Sequence, residues 1–193
     1  MLHLLQPTDP RWLDAAAADL DGLLADHAHC ELKAAQSALA LVGRFGADAP
    51  EIVEPLSALA REETQHFRQV HTRLEGRAAP LGKPEKDLYV KALTKAARRD
   101  HRETPVLLDK LLVSALIEAR SCERFKLLAE GLPDEDLAGF YRGLMAAEAR
   151  HFTLFSGLAE ARFGAVARDR LATLAEREAA VAHALPLGPT VHG

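Results

Sequence analysis

Two pairs of residues in this sequence combine a carboxylate and an imidazole at a spacing that could bind a metal ion. They are Glu63 with His66 and Glu148 with His151, and a phenylalanine follows each histidine. Residues three apart share one face of an α-helix, so each pair can present an oxygen and a nitrogen to a single point. With 16 Glu and 9 His in 193 residues, chance predicts fewer than one such pair. Two pairs therefore indicate a metal site.

Two further glutamates precede the pairs at similar distances. Glu31 lies 32 residues before Glu63, and Glu118 lies 30 residues before Glu148. The spacing therefore predicts two helix hairpins, each with a single glutamate followed by a Glu-x-x-His pair. Four carboxylates and two imidazoles from four helices are the ligand set of a dinuclear iron or manganese site. Hard oxygen donors with one imidazole per metal favour Fe(II) or Mn(II) over zinc or copper. The predicted metal ligands are Glu31, Glu63, His66, Glu118, Glu148 and His151.

Proline and glycine breaks divide the chain into helices long enough to position these residues. The breaks predict helices at about 10–45, 51–76, 86–100, 105–131, 133–164 and 167–183. The four longest are about twice the usual helix length, which favours a bundle in which each buries an apolar stripe. A glutamate interrupts each of the four stripes, and an unpartnered buried carboxylate is costly. The alternative without metal is a helical bundle with incidental Glu-x-x-His pairs on its surface.

Several polar residues near the predicted ligands leave two interpretations open. His27 lies on the stripe one turn before Glu31, either as a further ligand or as a histidine packed behind the ligands. Glu62 and Glu123 point away from the stripes, either to solvent or to positions behind the ligands. Tyr141, two turns before Glu148, either reaches the site or packs in the core, and we expect Cys122 to pack in the core. Three arginines either balance carboxylate charge or lie at the surface: Arg61, Arg120 and Arg150.

Composition and charge exclude several classes of protein. Apolar residues make up 48% and charged residues 27% of the chain, which excludes disordered and collagen-like chains. Cys30 and Cys122 lie outside any Cys-x-x-Cys motif and are expected to be reduced thiols. With no apolar run near the roughly 20 residues of a membrane span and no signal peptide, we expect a cytoplasmic protein. We expect one domain over 1–193, with a core at about 10–164, a C-terminal helix at about 167–183 and a frayed tail at 184–193.

A local cluster of basic residues is a candidate binding site for a polyanion. The net charge of −4 gives no overall positive field, so any nucleic-acid partner would need such a local patch. The cluster lies between the two hairpins, and Lys83 and Lys86 lie just before it. Its alternative interpretation is a solvated helix face. The candidate nucleic-acid contacts are Lys91, Lys95, Arg98, Arg99 and Arg102.

Four segments of the sequence resemble one family of enzymes. They are DHAHCELKAAQSALAL at 26–41, LAREETQHF at 59–67, SALIEARSCERF at 114–125 and FYRGLMAAEARHF at 140–152. In this order, and over about residues 10 to 180, they are similar to the bacterial tRNA 2-methylthio-N6-isopentenyladenosine hydroxylases, the MiaE family. The resemblance implies an all-α, ferritin-like four-helix bundle with a short extra helix between helices two and three and a C-terminal helix. All six predicted ligands fall at the family's ligand positions.

The resemblance also implies a reaction and its partners. The family hydroxylates the isopentenyl group of a modified adenosine next to the tRNA anticodon, using two iron ions and O2. An external electron donor such as a ferredoxin is implied, because the sequence has no Rossmann or flavin motif. The basic cluster favours a nucleic-acid substrate, and manganese remains an alternative metal. The oligomeric state stays open. Other functions also stay open: iron oxidation and storage, a di-iron or di-manganese catalase or small-molecule hydroxylase, or a metal-free interaction module.

Overall fold

A computed structural model describes residues 2–98 and 104–193 of the chain. Within these residues the secondary structure is helical, with seven α-helices and no strand. This confirms the prediction of an all-α fold. The helices are α1 (Arg11–Ala18), α2 (Leu20–Phe45), α3 (Val53–Gly76), α4 (Leu88–Ala97), α5 (Val106–Gly131), α6 (Glu135–Phe163) and α7 (Ala165–Ala184). In the described part of the chain, no helix is long and apolar enough to cross a lipid bilayer.

The first predicted helix is wrong in one respect, because the segment at 10–45 forms two helices. The break is at Asp19, whose φ of −139° and ψ of 74° are not helical. Its carboxylate accepts a hydrogen bond from the backbone N–H of Gly22 at 2.9 Å and so caps α2. The Asp19 side chain satisfies a backbone N–H of the first turn that has no acceptor within the helix, so a new helix begins after Asp19.

Two later helices each begin two residues away from their predicted start, and the residue before each helix explains the difference. Helix α4 begins at Leu88 because the Asp87 carboxylate accepts from the N–H of Val90 at 2.8 Å. Helix α7 begins two residues earlier than predicted, directly after Gly164. That glycine has a φ of 60°, which favours a residue without a side chain and ends α6.

Residues 15–86 and 188–191 form one compact unit. Its main feature is a hairpin of α2 and α3, joined through a short 3-10 turn at Pro50–Ile52. Buried apolar side chains line the hairpin, among them Leu24 and Leu56. Val191 also belongs to this unit, and its N–H donates to the Asp26 carboxylate at 2.8 Å.

The other compact unit contains residues 2–14, 87–98, 104–187 and 192–193. Helices α5 and α6 form its hairpin, and α4 and α7 pack against α5. His192 is buried in this unit, with its ring nitrogens 2.8 Å from Asp87 Oδ2 and 3.1 Å from Ser121 Oγ. The prediction of a frayed tail at 184–193 therefore does not hold for its last residues, because specific hydrogen bonds hold them.

A buried ionic network holds the second unit together around Arg120, which is 1% exposed. The guanidinium donates to both oxygens of Glu178 on α7, at 2.8 and 3.0 Å, and also to Glu123. Thr8 donates its hydroxyl hydrogen to Glu123 at 2.7 Å, and Tyr89 donates its own to Glu178 at 2.9 Å. Burial, together with the Glu178 charge, raises the pKa of the Tyr89 hydroxyl well above its usual range.

This network decides between interpretations that the sequence left open. Arg120 balances carboxylate charge and is not a surface residue, but the carboxylates it binds, Glu178 and Glu123, are outside the predicted ligand set. Glu123 was expected in solvent or behind the ligands, but it is buried against Arg120 and Thr8. Arg120 joins α5 to α7 through Glu178, and Glu123 joins α5 to the segment before α1 through Thr8.

Candidate metal centre

The α2–α3 hairpin brings together three of the six predicted ligands. Glu31 on α2 and Glu63 and His66 on α3 are all buried. His66 Nδ1 lies 2.9 Å from Glu63 Oε2 and 3.9 Å from Glu31 Oε2. The pair on α3 meets because positions three apart share a helix face, and Glu31 joins it from the other helix of the hairpin. Each of the three residues offers a donor atom within 4.8 Å of the other two.

Two further side chains lie next to this group of three. His27, one turn before Glu31, is fully buried, and its Nε2 lies 2.6 Å from Glu31 Oε1. Glu62 Oε1 lies 3.8 Å from His66 Nε2, and the Glu62 side chain is 37% exposed. Both residues therefore lie behind the predicted ligands, one of the two interpretations that the sequence left open.

The α5–α6 hairpin carries the other three predicted ligands. Glu118 on α5 and Glu148 and His151 on α6 are all buried. His151 Nδ1 lies 3.8 Å from Glu148 Oε2. One ligand atom of Glu118 lies within 4.8 Å of a ring nitrogen of His151. Each unit of the protein thus contains two carboxylates and one imidazole of the predicted ligand set.

The distances among the α2–α3 ligands fit a metal ion, and so does the distance between Glu148 and His151 on α6. Two ligands of one ion, each about 2.1 Å from it, are at most about 4.2 Å apart. The three nitrogen–oxygen distances of 2.9, 3.9 and 3.8 Å fall within this limit. Two carboxylates with one imidazole form a hard, anionic donor set that suits iron or manganese. Burial of the donors excludes water, which would otherwise compete for the ion.

Other neighbours of the predicted ligands have ordinary structural roles. Tyr141 is buried with its ring 5.3 Å from that of Phe125, as expected of a core residue. Arg61 and Arg150 are exposed, and Arg150 donates to the backbone carbonyl of Ala146 at 3.1 Å. Cys122 donates its thiol hydrogen to the carbonyl of Met145 at 3.3 Å.

The Cys122 thiol is expected to react slowly with alkylating reagents. Burial raises its pKa from 9.0 to about 11, and the charges of Glu148 and Glu123 add to this effect. In a Cys30→Ser background, alkylation by iodoacetamide at pH 8 should be about 100-fold slower than for a thiol of pKa 9, because only the thiolate reacts. The rate should keep rising to about pH 11. A plateau near pH 9 would contradict the raised pKa.

The described part of the basic cluster forms one exposed face of α4. Lys91 and Lys95 are one turn apart, and Arg98 follows directly after the helix. All three side chains are exposed, and their spacing of four and three residues places them on the same side. The other two candidates, Arg99 and Arg102, lie outside the described residues.

Long helices with buried glutamates and two Glu-x-x-His pairs define the ferritin-like di-iron class of proteins. A solved structure supports this class: "Protein 43 with aldehyde deformylating oxygenase activity from Synechococcus" is 39% identical in sequence, with a TM-score of 0.90. The likeness covers 98% of this chain and 95% of that one. The ferritin-like fold is therefore confirmed.

The chain belongs to the MiaE family, described as tRNA-(MS[2]IO[6]A)-hydroxylase, whose model matches residues 1–193. A tRNA 2-(methylsulfanyl)-N(6)-isopentenyladenosine(37) hydroxylase of Pseudomonas putida is 42% identical over 153 residues, which cover 79% of this chain and 73% of that protein. A protein of the same name from Salmonella typhimurium is 36% identical over 202 residues, covering 80% and 74%. The protein is therefore an oxidoreductase of the tRNA hydroxylase family.

Proposed function

We propose that this protein hydroxylates the isopentenyl group of 2-methylthio-N6-isopentenyladenosine next to the tRNA anticodon. The observation that carries this proposal is the burial of all six predicted ligands in a chain that the tRNA hydroxylase family matches over its full length. The two named relatives support the substrate, and the solved Synechococcus structure supports a di-iron oxygenase. Because the proposed substrate is tRNA, the proposed location is the cytoplasm. We also propose that the two units act as one domain.

Two iron ions are the proposed metals, with three residues of each hairpin holding one ion. The first set is Glu31, Glu63 and His66, and the second is Glu118, Glu148 and His151. When bound, the iron pair would activate O2, with electrons from the external donor, for attack on an aliphatic C–H bond that no side chain could break. The four carboxylates balance the charge of two Fe(II) ions. Leu59 and Leu144, each one turn before a glutamate ligand on the same helix, are buried apolar side chains and would help to exclude water.

The exposed face of α4 is the proposed contact for tRNA phosphates. Lys91, Lys95 and Arg98 present three positive charges on one side of a short helix. Arg99 and Arg102 extend the same basic run in the sequence, and we include them in the proposed contact. Such a surface adds affinity without reading the sequence of the bases, and the anticodon loop would be selected by its shape.

Removing two of these charges should weaken tRNA binding in a salt-dependent way. In the double variant Lys91→Ala/Lys95→Ala, the slope of log K against log salt concentration is expected to fall in magnitude by about 1.5, because two phosphate contacts are lost. The matched control is Lys126→Ala, which removes an exposed charge on α5. Filter binding over a salt series measures both. An unchanged slope in the double variant would exclude this face as the contact.

The reaction is tested directly with reconstituted protein. The apoprotein is loaded anaerobically with Fe(II), supplied with isopentenylated tRNA, a ferredoxin or a chemical reductant, and O2, and the nucleosides are analysed by mass spectrometry. The expected product is the isopentenyladenosine with one added oxygen. A tRNA without the isopentenyl group should be unchanged.

Parallel reactions separate the alternative functions. Consumption of O2 with Fe(II) alone and retention of the iron as a mineral would indicate storage. Release of O2 from hydrogen peroxide would indicate a catalase. Oxygen-dependent deformylation of an aldehyde would indicate the activity named for the Synechococcus protein. Any of these without a change in the tRNA would contradict the proposed function.

A further inference from the structure

The basic helix α4 is too short to be stable without contacts to the rest of its unit. It has ten residues, and isolated helices shorter than about 12 to 15 residues are marginal in water. Lys91 and Lys95 are four residues apart, so their like charges repel each other across one helix turn. The exposed face that we propose for tRNA therefore depends on neighbours that hold α4 in place.

Helix α7 supports the C-terminal end of α4. Arg177 donates from Nη1 to the carbonyl oxygen of Ala96 at 2.8 Å. Arg170 donates from Nη2 to the carbonyl oxygen of Ala97, also at 2.8 Å. The last carbonyls of a helix have no donor within the helix, so cationic side chains that donate to them stabilise its end. Arg170 is itself held in place, because its Nε donates to the buried Asp109 carboxylate at 2.8 Å.

His192 supports the other end of α4. Its Nδ1 donates to Asp87 Oδ2 at 2.8 Å, because a carboxylate only accepts. The second oxygen of Asp87 accepts from the N–H of Val90 and caps the helix. The histidine ring also stacks on that of Tyr89, with 5.1 Å between the centroids, and the Tyr89 hydroxyl donates to Glu178 on α7 at 2.9 Å. Helix α7 and His192 thus hold α4 at both ends.

These supporting residues are less exposed than the basic residues of α4. Arg170 is 9% and His192 6% exposed, and Arg177 is half-buried, whereas Lys91 and Lys95 are exposed. Their hydrogen bonds to the backbone of α4 and to its cap fix the helix itself. They are therefore better placed to position α4 than to bind phosphate.

We propose that Arg170, Arg177 and His192 are positioning residues for tRNA binding, which hold α4 so that its basic face is formed before tRNA arrives. This inference rests on the proposed function, which assigns that face to tRNA. The apparent affinity of a surface falls in proportion to the fraction of molecules in which the surface is correctly formed. Loss of the supporting contacts should therefore weaken binding without removing any phosphate contact.

Filter binding of tRNA over a salt series tests this with the double variant Arg177→Met/His192→Leu, which releases both ends of α4. Its affinity should be about 10-fold lower than that of the wild type at every salt concentration, because α4 is docked in fewer molecules. The slope of log K against log salt concentration should be unchanged, since that slope counts phosphate contacts. Arg170 stays in place, because its loss would leave the buried Asp109 carboxylate without this cation.

Two further measurements accompany the double variant. Hydrogen exchange of the α4 amides should be faster than in the wild type, while exchange of the α2 amides should be unchanged. Arg177→Lys should bind tRNA more tightly than Arg177→Met, because its ammonium group can still donate to the Ala96 carbonyl. The matched control is Arg168→Met, which removes an arginine of α7 that pairs with Glu160 on α6, and it should bind tRNA as the wild type does.

The outcomes distinguish this inference from the proposed function. Wild-type affinity in the double variant would overturn the inference, whether or not exchange in α4 is faster. A smaller salt slope would also overturn it, because Arg177 or His192 would then contact phosphate. Both results leave the proposed hydroxylation intact, since the nucleoside analysis tests it separately, whereas a wild-type protein that binds no tRNA would contradict both. If circular dichroism shows that the double variant fails to fold, the two single variants decide, and each should show a smaller loss of affinity with the same slope.

Discussion

Replacing Glu63 with alanine is expected to abolish hydroxylation of the tRNA and to remove at least one iron ion from each chain. Glu63 is 1% exposed, and its Oε2 lies 2.9 Å from His66 Nδ1. The substitution removes a carboxylate ligand itself, so the loss of metal affinity should exceed the roughly 10- to 100-fold typical of residues behind a ligand. Iron content and the yield of oxidised nucleoside measure the two effects.

The matched control for this substitution is Gln65→Ala, two residues away on the exposed face of the same helix. It changes the helix surface but none of the proposed ligands. We expect two iron ions per chain and wild-type product from this variant. If Glu63→Ala retained both iron and activity, Glu63 would not be a ligand.

The second large effect is expected on stability, in the ionic network around Arg120. Arg120→Leu would leave the carboxylates of Glu178 and Glu123 buried without their cation. Removing one partner of a buried ion pair typically costs about 3–5 kcal/mol, because an uncompensated charge remains in a medium of low dielectric constant. Urea denaturation monitored by circular dichroism measures the change in the free energy of unfolding.

Arg150→Leu serves as the comparison, because Arg150 is an exposed arginine on α6. Its free energy of unfolding should change by less than about 0.5 kcal/mol. Equal stability of the Arg120 and Arg150 variants would mean that the network contributes little. Because the predicted loss is a property of the apoprotein, it is independent of the proposed metal site.

The predicted ligands could be recognised because their signal is local. A Glu-x-x-His pair is visible within four residues, and the helix period predicts which other positions share its face. The stripes predicted that Glu31 and Glu118 would be buried, and both are. Their role as ligands stays a prediction, but their place inside the hairpins follows from the sequence pattern alone.

The Arg120 network could not be predicted in the same way. Its main partner, Glu178, is 58 residues further along the chain, and Thr8 is 112 residues before it. No local pattern distinguishes Glu178 from the other charged residues of α7, such as Glu176. The break at Asp19 could not be predicted either. Alanines precede it, and an aspartate such as Asp19, which caps α2, also occurs inside helices.

The source of the added oxygen tests the central claim most directly. Iron-loaded protein with isopentenylated tRNA and a reductant would be exposed to 18O2 in ordinary water, and the nucleosides analysed by mass spectrometry. The proposed di-iron hydroxylase predicts a product that carries one 18O atom on the isopentenyl group, and none when Glu63 is replaced by alanine. An unlabelled product, or an unchanged tRNA from protein that holds two iron ions, would contradict it.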